Sequence, residues 1–432
     1  MALAVVLPFL QPAQAMQGNT RIEWDAGTRK FACAGTYGRA KILRSGELAL
    51  VYSSGADAWI RKSKDGGGTW DAAIRVAHDD GYGDTNAELL ELQNGWLLYA
   101  WNGRPQAAGP YFIATRISKD GGLSWGAGVR AYTGGTDGGT GCWEPALLQL
   151  PGGEVQLYFA NETPYAGAST DQEIGMLRSH DNGGTWETYL AVSHRSGARD
   201  GMPVPVQLKD GGVAVAIEDN GIPGLSGSFK PSIVRSSAGG AWGATPVGGK
   251  DPHRWGALAP EAGLASAVYG GAPYLVRLPS GETILSIQSG EGRDPGTAPT
   301  AHAIMQVYVG TVQADSFSAK STPFPDIPAG GNGLWNSLLA VDDSTVVAVS
   351  SISGMGKNGI WAVVGKVRRE SGVAVIGRPH GSGKSPPAGA LIGPAGNVGD
   401  GWHGWEFSGF DARGRPRGRR PAHRHAVTLQ LP

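Results

Sequence analysis

The sequence predicts an all-β fold: a six-bladed β-propeller over residues 20–370. Three observations predict it: a turn motif that recurs at one place in the repeat, a strand-turn-strand unit that recurs six times, and a glycine-rich composition. The 432 residues include 70 glycines and 14 tryptophans. Such a chain suits short strands joined by tight turns and a polar cleft lined by flat rings.

The turn motif reads Ser63-Lys-Asp-Gly-Gly-Gly-Thr-Trp70, then Ser118-Lys-Asp-Gly-Gly-Leu-Ser-Trp125, then Ser179-His-Asp-Asn-Gly-Gly-Thr-Trp186. A degenerate fourth copy is Ser236-Ser-Ala-Gly-Gly-Ala-Trp242. In this template Asp bonds the turn's own amides, Gly takes positive φ, and Trp packs under the hairpin. Each full copy follows a strand-like run (58–62, 111–117, 173–178), so the motif closes a hairpin late in its repeat.

Upstream of each motif lies a pair of apolar runs joined by a short turn. The pairs are 40–43 with 48–52, 89–92 with 96–101, 146–150 with 155–159, and 204–208 with 213–217. Two more, 274–278 with 283–288 and 338–341 with 345–350, lack the full motif. Six four-stranded units describe a propeller, because radial packing buries both faces of each small sheet. Residues 21–33 are expected to supply the outermost strand of the last blade, joining the two ends of the domain.

Lys plus Arg equals Asp plus Glu at 37 each, so no basic field is available to hold a polyanion, and nucleic acid is not expected as a partner. No stretch approaches the roughly 18 apolar residues of a spanning helix, so no membrane insertion is expected. Residues 1–15 form an apolar run ending in Ala13-Gln14-Ala15, the pattern of a signal peptide, and a secreted or periplasmic monomer is expected. Residues 371–432 are rich in Gly, Pro and Arg and read as a linker or disordered tail. Cys33 and Cys142 are too few for a disulfide framework and are not clustered as zinc ligands; neither metal nor cofactor is expected.

These turn motifs resemble the Asp boxes of sialidases and related glycoside hydrolases. There they join the third and fourth strands, on the face opposite the ligand. The resemblance implies that the active face is built from residues just before each first strand and just after each second strand. At those positions stand Arg39, Asn86, Glu144 beside Trp143, Arg199-Asp200, Tyr274 and Trp335, and then Arg104, Glu162 and Glu218. Rings to stack on sugar faces, amides and arginines for hydroxyls, and two carboxyls for acid-base and nucleophilic work make a glycosidase set. Glu144 and Glu218 are the expected catalytic pair; Arg39, Asn86, Arg104, Trp143, Glu162, Arg199, Asp200, Tyr274 and Trp335 are the expected sugar contacts. The competing reading makes each glutamate a structural acceptor of loop amides, and Glu162, Asp200, Arg104 and Arg39 members of loop ion pairs.

The run Gly141-Cys-Trp-Glu-Pro-Ala-Leu-Leu-Gln-Leu150, then Gln156 to Thr163, Asp171-Gln-Glu-Ile174, Arg199-Asp-Gly-Met202 and Ala214 to Glu218 resembles the exo-α-1,5-L-arabinanases of glycoside hydrolase family 93. The resemblance covers about residues 35 to 368. It implies a retaining enzyme on a neutral plant polysaccharide, with Glu144 as acid/base and Glu218 as nucleophile. A sialidase is the enzyme alternative; it needs an arginine triad, with Arg39 as one member and Tyr269 or Tyr274 with Arg277 or Arg293 as the remaining candidates. A non-catalytic glycan-binding propeller is the other alternative, and it has no need of a carboxyl pair.

Overall fold

The computed structural model describes residues 20–370 apart from Thr188, Ser226, Pro295 and Thr297. The expected leader, 1–15, and tail, 371–432, lie outside the described residues. The rest is six antiparallel four-stranded sheets, with no α-helix among the described residues. Blades one to five each run inner to outer in chain order, and their inner strands are Thr36–Ile42, Tyr82–Glu91, Cys142–Gln149, Asp200–Gln207 and Gly270–Arg277. Blade six takes Asn332–Asp342, Thr345–Ser353 and Gly359–Arg369 as its inner three strands, and Thr20–Cys33 pairs outside them as the fourth. That pairing, from Thr20 opposite Arg369 to Cys33 opposite Ile360, closes the ring as expected.

Second strands are the driest. Every residue of Val155–Asn161 and of Thr283–Ser289 is buried. Each lies between two blades, and each buried Val, Leu or Ile there contributes about 1.5–3 kcal/mol.

The three full motifs join third and fourth strands, at the end of the blades opposite the second-strand ends. In the first, Asp65 accepts from the Thr69 amide and hydroxyl and from the Ser63 hydroxyl, each at 2.8 Å. Asp120 and Asp181 sit in the same web. In the first copy the Thr69 amide, then the Ser63 and Thr69 hydroxyls, hold the Asp65 carboxyl well below its ordinary range.

One regularity departs from the sequence expectation. The inner strands begin several residues earlier than the apolar runs, on the far side of a bulge that all six share. Two inner-strand residues face one on the second strand: 37–38, 86–87, 144–145, 202–203, 272–273 and 335–336. The first residue of each bulge has positive φ: Tyr37 (57°), Asn86 (53°), Glu144 (51°), Met202 (48°), Ala272 (46°) and Trp335 (52°). Such bulges normally carry Gly there. A side chain at this position costs roughly 1–3 kcal/mol and persists only where the surroundings over-determine it. The bulge breaks period-two alternation, which is why these residues read as pre-strand loop.

Tyr37, Met202, Ala272 and Trp335, from blades one, four, five and six, pack together. Non-adjacent blades meet only on the axis, so the bulges turn their first side chains inward there.

Burial has one measurable cost near this face. Asp84 is fully buried on the inner strand of blade two, accepting from Trp101 Nε1 at 3.1 Å and the Asp79 amide at 2.8 Å. Burial first, then the Asp79 charge, push its carboxyl up to about 7. The unfolded value is about 3.9, so the fold prefers the neutral acid, and stability is lost as pH rises from about 4 through about 7. Asp84→Asn cannot ionise. Relative to wild type its melting temperature should improve by at least ~2 °C between pH ~5 and pH ~8. Parallel curves for the two proteins across that range would contradict the assignment.

Candidate functional site

Glu144 is the bulge residue of blade three, and Glu218 stands next to last on the second strand of blade four, opposite Gly201. Both line one cavity of about 330 Å³, with Met202, Phe229, Tyr269 and Trp335 as its apolar walls and Ser228 and Thr300 as hydroxyl donors. No arginine or lysine lines it among the described residues. Phe229 and Ser228 end the long connection between the second and third strands of blade four; Thr300 belongs to the equivalent connection of blade five. Neither stretch carried a sequence signal, because long connections have no period to read.

Glu218 is held by two absences. Its Oε2 accepts the Ala272 amide at 2.8 Å. A Cβ on Gly271 would stand 2.5 Å from the same oxygen, and a Cβ on Gly201 would meet Oε1 at 3.0 Å. Blade five therefore opens with Gly270-Gly271-Ala272, stripped of bulk where the carboxyl of blade four lies across it.

Charge separates the two glutamates. Burial pushes Glu144 up; Arg104, at 4.0 Å, pulls it back and Glu162 adds to the rise. Glu218 has no ion pair within 4 Å among the described residues. Burial pushes it up to about 7, with the Ala272 amide opposing and the Glu144 charge reinforcing. Burial and repulsion by a neighbouring carboxylate therefore act in one direction on both carboxyls, raising Glu144 and bringing Glu218 to about 7.

The other expected contacts divide. Trp335 lines the cavity. Arg104 lies over Trp143 at 4.9 Å, and its guanidinium is braced by Asn102 at 2.9 Å and by Asn86. Trp143 in turn packs on Tyr111, 4.6 Å between ring centres. These residues flank Glu144 on the side of blade two, outside the cavity. Arg199 is bonded to Glu162, which is 1 % exposed.

Three expected contacts sit elsewhere. Asp200 is fully buried and grips Arg254 with both oxygens, and Arg254 also bonds Asp219. It is a strut beneath Glu218 and cannot reach a ligand. Arg39, 3 % exposed, is stacked on Tyr37 at 3.8 Å and spends one nitrogen on the carbonyls of Gly38, Trp335 and Asn336. Tyr274, also 3 % exposed, accepts from Lys41 at 3.1 Å in a second cavity, of about 390 Å³, lined by the inner strands of all six blades. For Arg39 and Tyr274 the bulge inverts the expectation: residues two places past its first position turn down the axis, under the floor of the pocket.

Gly271→Ala tests how Glu218 is seated. The added methyl must displace the carboxyl and the Tyr269 ring, whose hydroxyl it would meet at 2.6 Å, and whatever reaction the pair supports should fall by about 10²-fold, as for a misplacement near 1 Å. Gly256→Ala, where a Cβ meets nothing within 4 Å, should leave the rate unchanged. Equal rates for the two variants would contradict the cradle.

No protein-family model matches the sequence, and no curated protein matches it. Solved structures match by fold. The family 93 α-L-arabinofuranosidase of Fusarium graminearum, described in complex with arabinobiose, superimposes with a TM-score of 0.59 at 20 % identity, over 78 % of this chain and 93 % of that one. An α-L-arabinanase of Penicillium chrysogenum, also described with arabinobiose, gives 0.58 at 20 % identity, over 80 % and 95 %. A Hadza microbial sialidase gives 0.52 at 14 % identity, over 77 % of this chain and 66 % of that one. The chain shares the six-bladed propeller fold of these proteins.

Proposed function

We propose that the protein is a glycoside hydrolase of neutral polysaccharide, an exo-α-1,5-L-arabinanase, with Glu144 and Glu218 as its two reacting carboxyls. The observation that carries the reading is that both carboxyls face one cavity whose other walls are rings, a thioether and hydroxyls, without a cation. Such a pocket offers stacking faces and hydrogen-bond partners to a neutral sugar, and nothing to a sugar acid. That two fold neighbours are described with arabinobiose favours arabinan within that class.

The sialidase reading needs three arginines around a carboxylate. Arg39 is committed to carbonyls and rings below the pocket. Arg277 lines the axial cavity, and Arg293 donates to the carbonyls of His302, Ile327, Pro328, Ala329 and Gly331. None of the three lines the pocket.

Resemblance implies Glu144 as the acid/base. The charges favour the reverse: Arg104 beside Glu144 steadies an anion fit for nucleophilic attack, while Glu218 keeps the proton that a leaving oxygen needs. Export from the cell, expected from residues 1–15, fits a polymer substrate and is part of the proposal.

Product profiling on linear arabinan and sialyllactose tests the substrate. Release of arabinose or arabinobiose should dominate; faster release of free sialic acid would overturn the reading. Roles separate with azide and an activated aryl arabinofuranoside. Glu218→Ala should keep its glycosylation step, lose about 10²–10⁴-fold on arabinan, and yield azide product of retained configuration. Glu144→Ala should lose turnover and yield inverted azide product. Exchanged outcomes would restore the partition that the resemblance implies.

Acidity supplies a further check. The acid must be protonated to act, so kcat/KM should fall as pH rises through the Glu218 value of about 7. A plateau extending above pH ~9 would contradict Glu218 as the proton donor.

A further inference from the structure

Glu162 has no place in that two-carboxyl scheme, yet it is one of the most costly side chains near the site. It follows Asn161 at the end of the second strand of blade three and is almost wholly buried. Its Oε1 takes the Arg199 guanidinium; its Oε2 is buried without a partner. A buried carboxylate oxygen without a protein partner is expensive unless the charge is used there.

Arg199 shows what the charge does. Its amide donates to Asn220 Oδ1 at 2.8 Å and its guanidinium to the Thr170 carbonyl at 3.3 Å, so the side chain is drawn toward blade three. Turned about its amide, Gln172 also accepts from Arg199, at 3.3 Å. From that position the guanidinium acts on both Glu144 and Glu218 without ion-pairing either. The titratable groups facing the pair are Tyr37 on blade one, Arg104 on blade two, Cys142 and Glu162 on blade three, Arg199 on blade four and Tyr269 on blade five. Three carboxyl groups and two guanidiniums therefore meet around the site.

We infer that Glu162 is a positioning residue: its carboxylate fixes the Arg199 guanidinium beside the Glu144–Glu218 pair and offsets its charge. The inference rests on the reading of those two glutamates as the reacting carboxyls. It differs from a sugar-binding role for Glu162, which would alter affinity and leave the charge of the pair alone.

Opposite signs make the test. In Glu162→Gln the guanidinium acts unopposed, the pair loses its proton more readily, and the alkaline limb of kcat/KM moves down by on the order of half to one pH unit. In Arg199→Gln a cation is lost and the limb moves up by a similar amount. The double variant removes both charges and should return to within about 0.3 units of wild type. A merely structural pair lowers rate and melting temperature without moving the two limbs in opposite directions. If one single variant does not fold, the other against the double still fixes the sign.

Carboxyl infrared titration of the same proteins, with Glu218→Gln identifying the band, reads the pair without any substrate. Shifts of opposite sign in that titration with no glycosidase activity in wild type would uphold the charge relation and sink the proposed function. Limbs and bands that stay put, or move the same way in both single variants, overturn the inference.

Discussion

Six inner strands have to approach one axis, and none of them finds another strand to pair with there. The bulge that each one carries answers that constraint. By setting one residue at positive φ, it turns a side chain from every blade toward the axis, where Tyr37, Met202, Ala272 and Trp335 touch. Glu144 holds the same position on blade three. Its carboxyl reaches the pocket because a strained backbone residue points it there, and the ring closure by Thr20–Cys33 keeps the six bulges facing one another.

Much of this was legible in the residues. Three Ser-x-Asp turns located the third and fourth strands, and the apolar pairs located the first and second. Antiparallel pairing then placed Glu144 and Glu218 at one end of the barrel of blades. The bulges were not legible as such, because two residues opposing one destroy the alternation by which strands are read. A faint signal exists in Trp143-Glu144-Pro145, Gly201-Met202-Pro203 and Gly271-Ala272-Pro273: three blades carry proline at the second bulge position, where no ladder bond is required. Recognising that phase would have moved Arg39 and Tyr274 below the pocket. Asp200 misleads for another reason. Its partner Arg254 lies 54 residues away on the outermost strand of the same blade, so the pair is visible only in three dimensions.

The site is a problem in burying charge. Asp200, Asp219 and Arg254 satisfy one another beneath the second strand of blade four, which fixes the backbone that presents Glu218. Above them the pocket holds two carboxyls that repel, and apolar walls that amplify the repulsion. Arg104 and Arg199 temper it from two sides, and Glu162 limits how far Arg199 does so. Gly271 and Gly201 supply the room. Residues outside the cavity thus set the electrostatics of the two carboxyls that line it.

The central claim is that Glu144 and Glu218 face a bound sugar from opposite sides of one reacting bond. Covalent trapping tests it most directly. Incubation with a mechanism-based arabinofuranosyl electrophile, followed by proteolysis and mass spectrometry, should add one pentosyl group to the peptide carrying Glu144, and Glu144→Gln should abolish the adduct. Labelling of Glu218 would keep the pair and exchange the roles. Labelling of Glu162, or no adduct under conditions in which arabinan is cleaved, would contradict the account.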